Sequence, residues 1–224
     1  MISIIIPTKN EADCLKRTLR QARCGLVHEI IVTDNNSTDN TRSIAESLGC
    51  RVLKVSGSRG SRLNRAAAMA GGDILLFLHA DTLLPAGFAE DICSMLEDTR
   101  VIAGAFRLSI SAPDRGLNFV CTMANLRSRL LQLPYGDQAL FIKRKIFLQE
   151  KGFPDMPIME DYVFVKQLKK KGRIGLCSSS VVTSARRWKK LGIAKTTLVN
   201  QLMLIGYHLG ISPERLASFY RGRS

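Results

Sequence analysis

Short, uninterrupted apolar runs alternate along this chain with longer stretches in which apolar positions recur at helical spacing. Residues 2–6 (ISIII) form the first run, mostly β-branched and ended by Pro7, which predicts a strand buried on both faces. Asn10 with Asp13 three residues on resembles a helix-capping signal, and Leu15 and Leu19 continue a helical period behind it. Residues 29–33 (EIIVT) predict a second strand, followed by the turn-rich DNNSTDNT and a helix over 41–48. A third strand over 51–55, an alanine-rich helix over 60–70 and a fourth strand over 73–78 extend the alternation. Beyond residue 85 it loosens. The pattern there predicts helices over 86–96, 117–131 and 160–171, and extended segments over 102–110, 139–142 and 174–183.

Strands separated by helices and short loops predict an α/β fold with a mostly parallel sheet. Right-handed crossovers bring the carboxyl ends of such strands to one edge, where open α/β sheets bind ligands. Three polar strand exits then share that edge: PTKNE (7–11), TDNNSTD (33–39) and HAD (79–81). The third is the most telling, because the apolar run ILLFL ends abruptly in His79 and Asp81, one residue apart. Alternation along an extended chain would turn both toward the same side. A sheet that simply ends in water would leave the same pattern.

The chain has 224 residues, 46% of them hydrophobic, and no Gly/Pro/Ser-rich linker divides it. This predicts one main domain over 1–190 with a helical extension over 191–224. Six cysteines without a CxxC pair or zinc spacing predict buried thiols in a reducing compartment. The opening MISIIIPTKNE lacks a basic region and a cleavage site, which predicts a cytoplasmic protein. The net charge of +14 is uneven: residues 1–142 hold 16 Lys/Arg against 14 Asp/Glu, whereas 143–224 hold 17 against 5. The last third is thus either a surface for anionic partners or a solubilising face.

Residues 196–213 carry no charge, but two glycines, Pro213 and several polar residues interrupt them, and a spanning helix needs ~20 mostly apolar residues. Leu198, Leu202, Ile205 and Leu209 recur at helical spacing, flanked by Lys195, Arg215, Arg221 and Arg223. The segment reads either as an interfacial helix on an anionic membrane or as a helix packed on the core or on a second subunit.

The strand exits supply a coherent chemistry. Asp34 can accept hydrogen bonds from a base or ribose edge, and His79 with Asp81 can hold Mg²⁺ or Mn²⁺ at a diphosphate. Glu160 and Asp161 open a predicted helix, where the dipole favours carboxylates in any case, and one of them can take an attacking hydroxyl's proton. Asp137 and Gln138 in PYGDQALF suit sugar hydroxyls. In SARRWKK, Trp188 can stack on an acceptor and Arg186 or Arg187 can pair with a diphosphate.

Taken in order, SIIIPTKNE, IIVTDNNSTDNT, LLFLHADT and MEDYVF resemble the family 2 glycosyltransferases of GT-A fold, over roughly residues 1–190. HAD, YGDQALF and ARRW together look most like a subgroup of small bacterial enzymes labelled for arsenosugar or exosortase-linked glycan synthesis. The resemblance implies a Rossmann-like sheet and inverting transfer of one sugar from a nucleotide-diphosphate donor, UDP- or GDP-linked, with Mn²⁺ or Mg²⁺. The acceptor would be small or lipid-linked, at the inner membrane face, with no nucleic-acid partner and a homodimer as one arrangement. By motif it implies Pro7, Thr8, Glu11, Asp34 and Arg59 at the nucleotide, Asp81 with His79 at the metal, and Asp161 as base supported by Glu160. Asp137, Gln138, Arg187 and Trp188 would meet the acceptor. His79 stands where the family usually has Asp, and Asn35 where many members carry a second Asp.

Two other classes fit less well. A sugar-nucleotide-forming nucleotidyltransferase would carry a Gly-rich basic loop after the first strand, and PTKNEADC has no glycine. A basic nucleic-acid-binding protein would interleave aromatics with its cations, and aromatics are only 6% here.

Overall fold

In the computed structural model, which describes residues 1–222, the first apolar run becomes β1 (Ile2–Thr8). The strand continues past Pro7, where the sequence pattern would end it. Its pairing with β4 (Ile74–Phe77) stops at Ile5 against Phe77, so at Pro7 only β2 (Val27–Asp34) remains alongside. A residue without an N–H is tolerated where one side of the strand is free. β3 (Arg51–Lys54) adds to β2, and α1 (Ala12–Gln21), α2 (Thr41–Ser47) and α3 (Arg59–Met69) make the crossovers. The predicted cap at Asn10 does not form. Asn10 takes φ +55°, and its side chain accepts from the Thr38 N–H at 2.8 Å, tying the first loop to the second.

The chain continues through β5 (Thr82–Leu83), α4 (Phe88–Glu97), β6 (Val101–Ile110) and α5 (Arg115–Leu131). A 3₁₀ turn (Gly136–Gln138) leads to β7 (Phe141–Lys143), α6 (Arg144–Gln149), α7 (Glu160–Leu168) and β8 (Arg173–Thr183). It closes with α8 (Arg186–Leu191), α9 (Ile193–His208) and α10 (Pro213–Arg221). The sheet order is β3-β2-β1-β4-β7-β6-β8-β5. β7 runs antiparallel to β4 and β6, and β5 to β8; the other pairs are parallel.

Alternation within the continuous runs feeds two cores. Ile4, Ile6, Val32 and Leu76 face α1, α2 and α4, while Ile5, Ile31, Leu75 and Phe77 face α3, α6 and α7. Phe77, Phe147, Phe153 and Phe164 meet edge to face or tilted in the second core, with ring centroids 4.8 to 5.4 Å apart. Such pairs contribute roughly 1 kcal/mol each beyond area burial. They fix α7 against the sheet, and with it the two carboxylates at its start. All six cysteines are free, but Cys24 is exposed rather than buried. Among the described residues no helix is long and apolar enough to cross a membrane.

Candidate active site

β4 ends at Phe77, so His79 and Asp81 lie in the turn beyond it and not on an extended strand; Thr82 N–H closes that turn on the His79 carbonyl. Both still line one cavity of about 410 Å³ at the strand ends. That volume is within the range of small-ligand sites. From the second half of the chain the cavity receives Asp137, Glu160, Asp161, Arg187 and Trp188, and from α3 it receives Arg59. The fold therefore brings together eight of the thirteen residues that the resemblance assigns to the site.

Glu160 and Asp161 reach this position through a constrained backbone. Met159, the residue just before α7, has φ +67°, a conformation seldom seen outside glycine and asparagine. Asp161 Oδ2 accepts from the Gly136 N–H at 2.6 Å and Oδ1 from the Tyr162 N–H at 2.8 Å. Glu160 is buried, with Oε1 3.2 Å from Arg59 Nη1. Burial raises the Glu160 carboxyl above its usual range against the lowering effect of Arg59. Asp137 is raised in the same way, and its Oδ1 is buried without a hydrogen-bond partner among the described residues. A Cβ on Gly136 would stand 2.7 Å from Asp161 Oδ2 and 3.1 Å from Arg59 Nη2, so only glycine lets the 3₁₀ turn approach this closely.

Two predicted residues are engaged in the fold instead. Gln138 is 0% exposed: Oε1 accepts from Ser128 Oγ (2.7 Å), Arg127 Nη2 (3.1 Å) and Tyr135 N (3.2 Å), and Nε2 donates to the Phe106 carbonyl (3.0 Å). Its oxygen is committed to the fold and the side chain has no access to the cavity, which corrects its assignment to the acceptor. Asp34 is 1% exposed, its oxygens taken by Thr8 Oγ1 (3.3 Å), the Ser37 N–H (3.1 Å) and the Ser37 hydroxyl, with Arg42 Nε 3.7 Å away. Asp34 thereby shapes the β1 and β2 exits. Thr8 is buried beside it, Pro7 is half-buried, and none of Pro7, Thr8, Glu11 or Asp34 lines the cavity that holds His79 and Asp81. Their link to it is Arg186, whose Nη2 is 2.6 Å from Glu11 and 3.2 Å from Asp81.

Sequence reasoning gave that bridge no weight. It also missed Arg62, a buried arginine under the strand exits that donates from Nη1 to the carbonyls of Thr8 (3.4 Å) and Thr33 (3.2 Å). Thr196, Asn200 and Tyr220 of the last helices line the cavity as well. No local motif marks these residues.

No group of three or more His, Cys, Asp or Glu converges among the described residues. His79 and Asp81 remain as a pair, and each already faces a guanidinium. Arg59 Nη2 contacts His79 Nε2, and a guanidinium can only donate, so that nitrogen presents a lone pair. Burial, and then the charge of Arg59, hold His79 well below the ordinary imidazole range, keeping the ring neutral as a ligand must be. An imidazole and a carboxylate are donor types that a divalent cation takes alongside phosphate and water, but Arg59 and Arg186 now occupy both, so a cation binds here by displacing the guanidiniums from them.

Residues 3–147 match the model of the glycosyl transferase family 2. A glucosyl-3-phosphoglycerate synthase of Mycobacterium tuberculosis is 32% identical over 96 residues, covering 38% of this chain and 30% of that protein. The chain thus spans less than a third of that curated relative. Among solved structures, S. aureus TarS with UDP-GlcNAc superposes with a TM-score of 0.64 at 18% identity, covering 82% of this chain and 58% of that one. The M. tuberculosis glucosyl-3-phosphoglycerate synthase with Mn²⁺, UDP and glucosyl-3-phosphoglycerate gives 0.63 at 21% identity, covering 90% and 78%. The mannosyltransferase PcManGT from Pyrobaculum calidifontis with GDP-Man and Mn²⁺ gives 0.62 at 22%, covering 81% and 56%. These neighbours establish the GT-A fold, and the sequence match establishes the family: the chain belongs to glycosyl transferase family 2.

Proposed function

We propose that the protein is an inverting, metal-dependent glycosyltransferase that moves one sugar from a UDP- or GDP-linked donor to a hydroxyl of a small or lipid-linked acceptor. One observation carries the reading: Asp161, held by the Gly136 N–H, shares a cavity with the His79–Asp81 pair. The bound nucleotides and Mn²⁺ of the glucosyl-3-phosphoglycerate synthase and mannosyltransferase structures support the donor class and the ion. HAD, YGDQALF and ARRW support a place in the arsenosugar or exosortase-linked subgroup. With a lipid-linked acceptor the enzyme would work peripherally at the inner membrane face.

In this mechanism Asp161 removes the acceptor's hydroxyl proton as that oxygen attacks the sugar's anomeric carbon. The new C–O bond forms as the bond to the nucleoside diphosphate breaks on the opposite face, inverting the centre. The Gly136 and Tyr162 N–H groups fix the Asp161 carboxylate, and each oxygen keeps a lone pair for the proton. Arg59 compensates the neighbouring Glu160 charge, and Trp188 offers the acceptor an apolar wall. When bound at His79 and Asp81, Mn²⁺ or Mg²⁺ supplies positive charge for the departing diphosphate.

Asp161→Asn tests the assignment. Loss of a general base lowers turnover by about 10²–10⁴-fold, while the UDP- or GDP-induced thermal shift with Mn²⁺ stays at its wild-type value. Turnover retained within a few fold would remove Asp161 from the role.

A further inference from the structure

Helix α9 is apolar on both faces. Val199 and Met203 are buried and Thr196 and Asn200 line the cavity, whereas Leu198, Leu202, Ile205 and Leu209 project outward, Leu198 by 60% and Leu209 by 76%. Helix α5 repeats the same i, i+4, i+7, i+11 spacing with exposed Phe119, Met123, Leu126 and Leu130, the first at 66% and the last at 67%. The two helices touch, with Ile193 of α9 against Gly116 of α5. Monomers in water seldom carry so much large apolar surface, and an all-round apolar helix calls for apolar surroundings on its second face.

Charge selects the occupant. Residues 115–131 and 186–221 hold ten Lys/Arg and one acid, Glu214. Arg115, Arg129, Lys189, Lys190 and Lys195 are all exposed. A twofold dimer would set this patch against itself, cation facing cation. An anionic lipid surface complements both its apolar stripes and its charge. We propose that α5 and α9 dock the protein on an anionic membrane, their leucine-rich stripes in the headgroup–acyl boundary and the lysines and arginines among phosphates. Because the inner face of α9 walls the cavity, docking carries that wall to headgroup depth, where the hydroxyl of a lipid-linked acceptor lies. The docking does not depend on the transfer reaction and is tested without it.

The full chain is sedimented with phosphatidylcholine vesicles containing phosphatidylglycerol at roughly one lipid in three, and with pure phosphatidylcholine. Wild type pellets with the first and stays in solution with the second. Each cation near such a surface contributes about fivefold in affinity, so Lys189→Glu with Lys190→Glu lowers partitioning at least tenfold. Combining Phe119→Ser, Leu130→Ser, Leu198→Ser and Leu209→Ser does the same. These side chains are exposed, so melting point and nucleotide-induced shift are unchanged. Absent pelleting, equal binding to neutral vesicles, or serine variants that bind like wild type would overturn the proposal. A wild-type dimer in light scattering that the serine substitutions dissolve would overturn it too, assigning the face to a second copy.

Discussion

Replacing Gln138 by Leu separates a structural residue from a substrate-binding one. The leucine is of similar volume, but the Tyr135 N–H and the Phe106 carbonyl lose their buried partner. Ser128 Oγ turns its one proton to the Ala124 carbonyl, 2.8 Å away, and half-buried Arg127 keeps the Leu133 carbonyl at 3.0 Å, so neither is orphaned. Two unsatisfied buried groups at about 1–3 kcal/mol each, less the gain from an apolar side chain in an apolar place, give a net loss of about 2–4 kcal/mol. For a chain of this size that lowers Tm by about 5–15 °C. Thermal unfolding by circular dichroism measures it, and steady-state transfer well below the transition measures function. The structural account requires a large drop in Tm with acceptor KM changed by no more than a few fold. A Tm within about 2 °C of wild type together with a raised acceptor KM would refute it and return Gln138 to the acceptor site.

Gly136→Ala pushes its new methyl toward Asp161 Oδ2, 2.7 Å away; displacing a reacting group by about 1 Å costs on the order of 10²-fold in kcat, read against an unchanged nucleotide-induced thermal shift. Asp137 in the folded chain holds its proton above the unfolded value of 3.8, so stability falls as pH rises from that value through the raised folded one and stays lower above it. Asp137→Asn, with no proton to lose, therefore melts higher than wild type at neutral pH and loses that advantage toward pH ~4, which a Tm series across pH checks. Arg186→Ala removes the cation shared by Glu11 and Asp81. The pair is half-exposed and such pairs contribute only about 0–1 kcal/mol, so Tm stays nearly constant. Mn²⁺ affinity without nucleotide rises, as measured by electron paramagnetic resonance of the free ion, and a fall would show that Arg186 helps the site rather than competing for it.

The first half of the fold was legible because β1, β2 and β4 are buried on both faces, and such strands write themselves as unbroken apolar runs. The second half was less so. β5 has two residues and pairs with β8 across a hundred positions of sequence, and α6 is a short helix set directly after β7. Neither leaves a periodic signal long enough to read. Within the site, residue type was visible but exposure was not. Asp34 and Gln138 are polar residues in loop-like sequence, which suits a binding pocket and a buried hydrogen-bond hub equally well. What decides between them is the partners that other segments bring: Ser128 and Phe106 for Gln138, and Thr8, added to the local Ser37, for Asp34.

The same distinction explains why Asp161 stands apart from its neighbours. Gln138 is wholly buried with its oxygen shared among three donors of the fold, and Glu160 sits buried against Arg59. Asp161 is fixed by two backbone N–H groups, which orient a carboxylate without supplying a counter-charge or consuming all its lone pairs. The surrounding wall works against stability: Met159 has a left-handed backbone, Asp137 Oδ1 is buried without a partner among the described residues, and the Glu160 carboxyl is raised by burial. A chain selected for stability alone would relieve these features one by one. They persist around Asp161, which shares the cavity with Asp81, Asp137 and Glu160; its fixed geometry serves proton removal, and each of these features costs the fold something that a neutral substitution would restore.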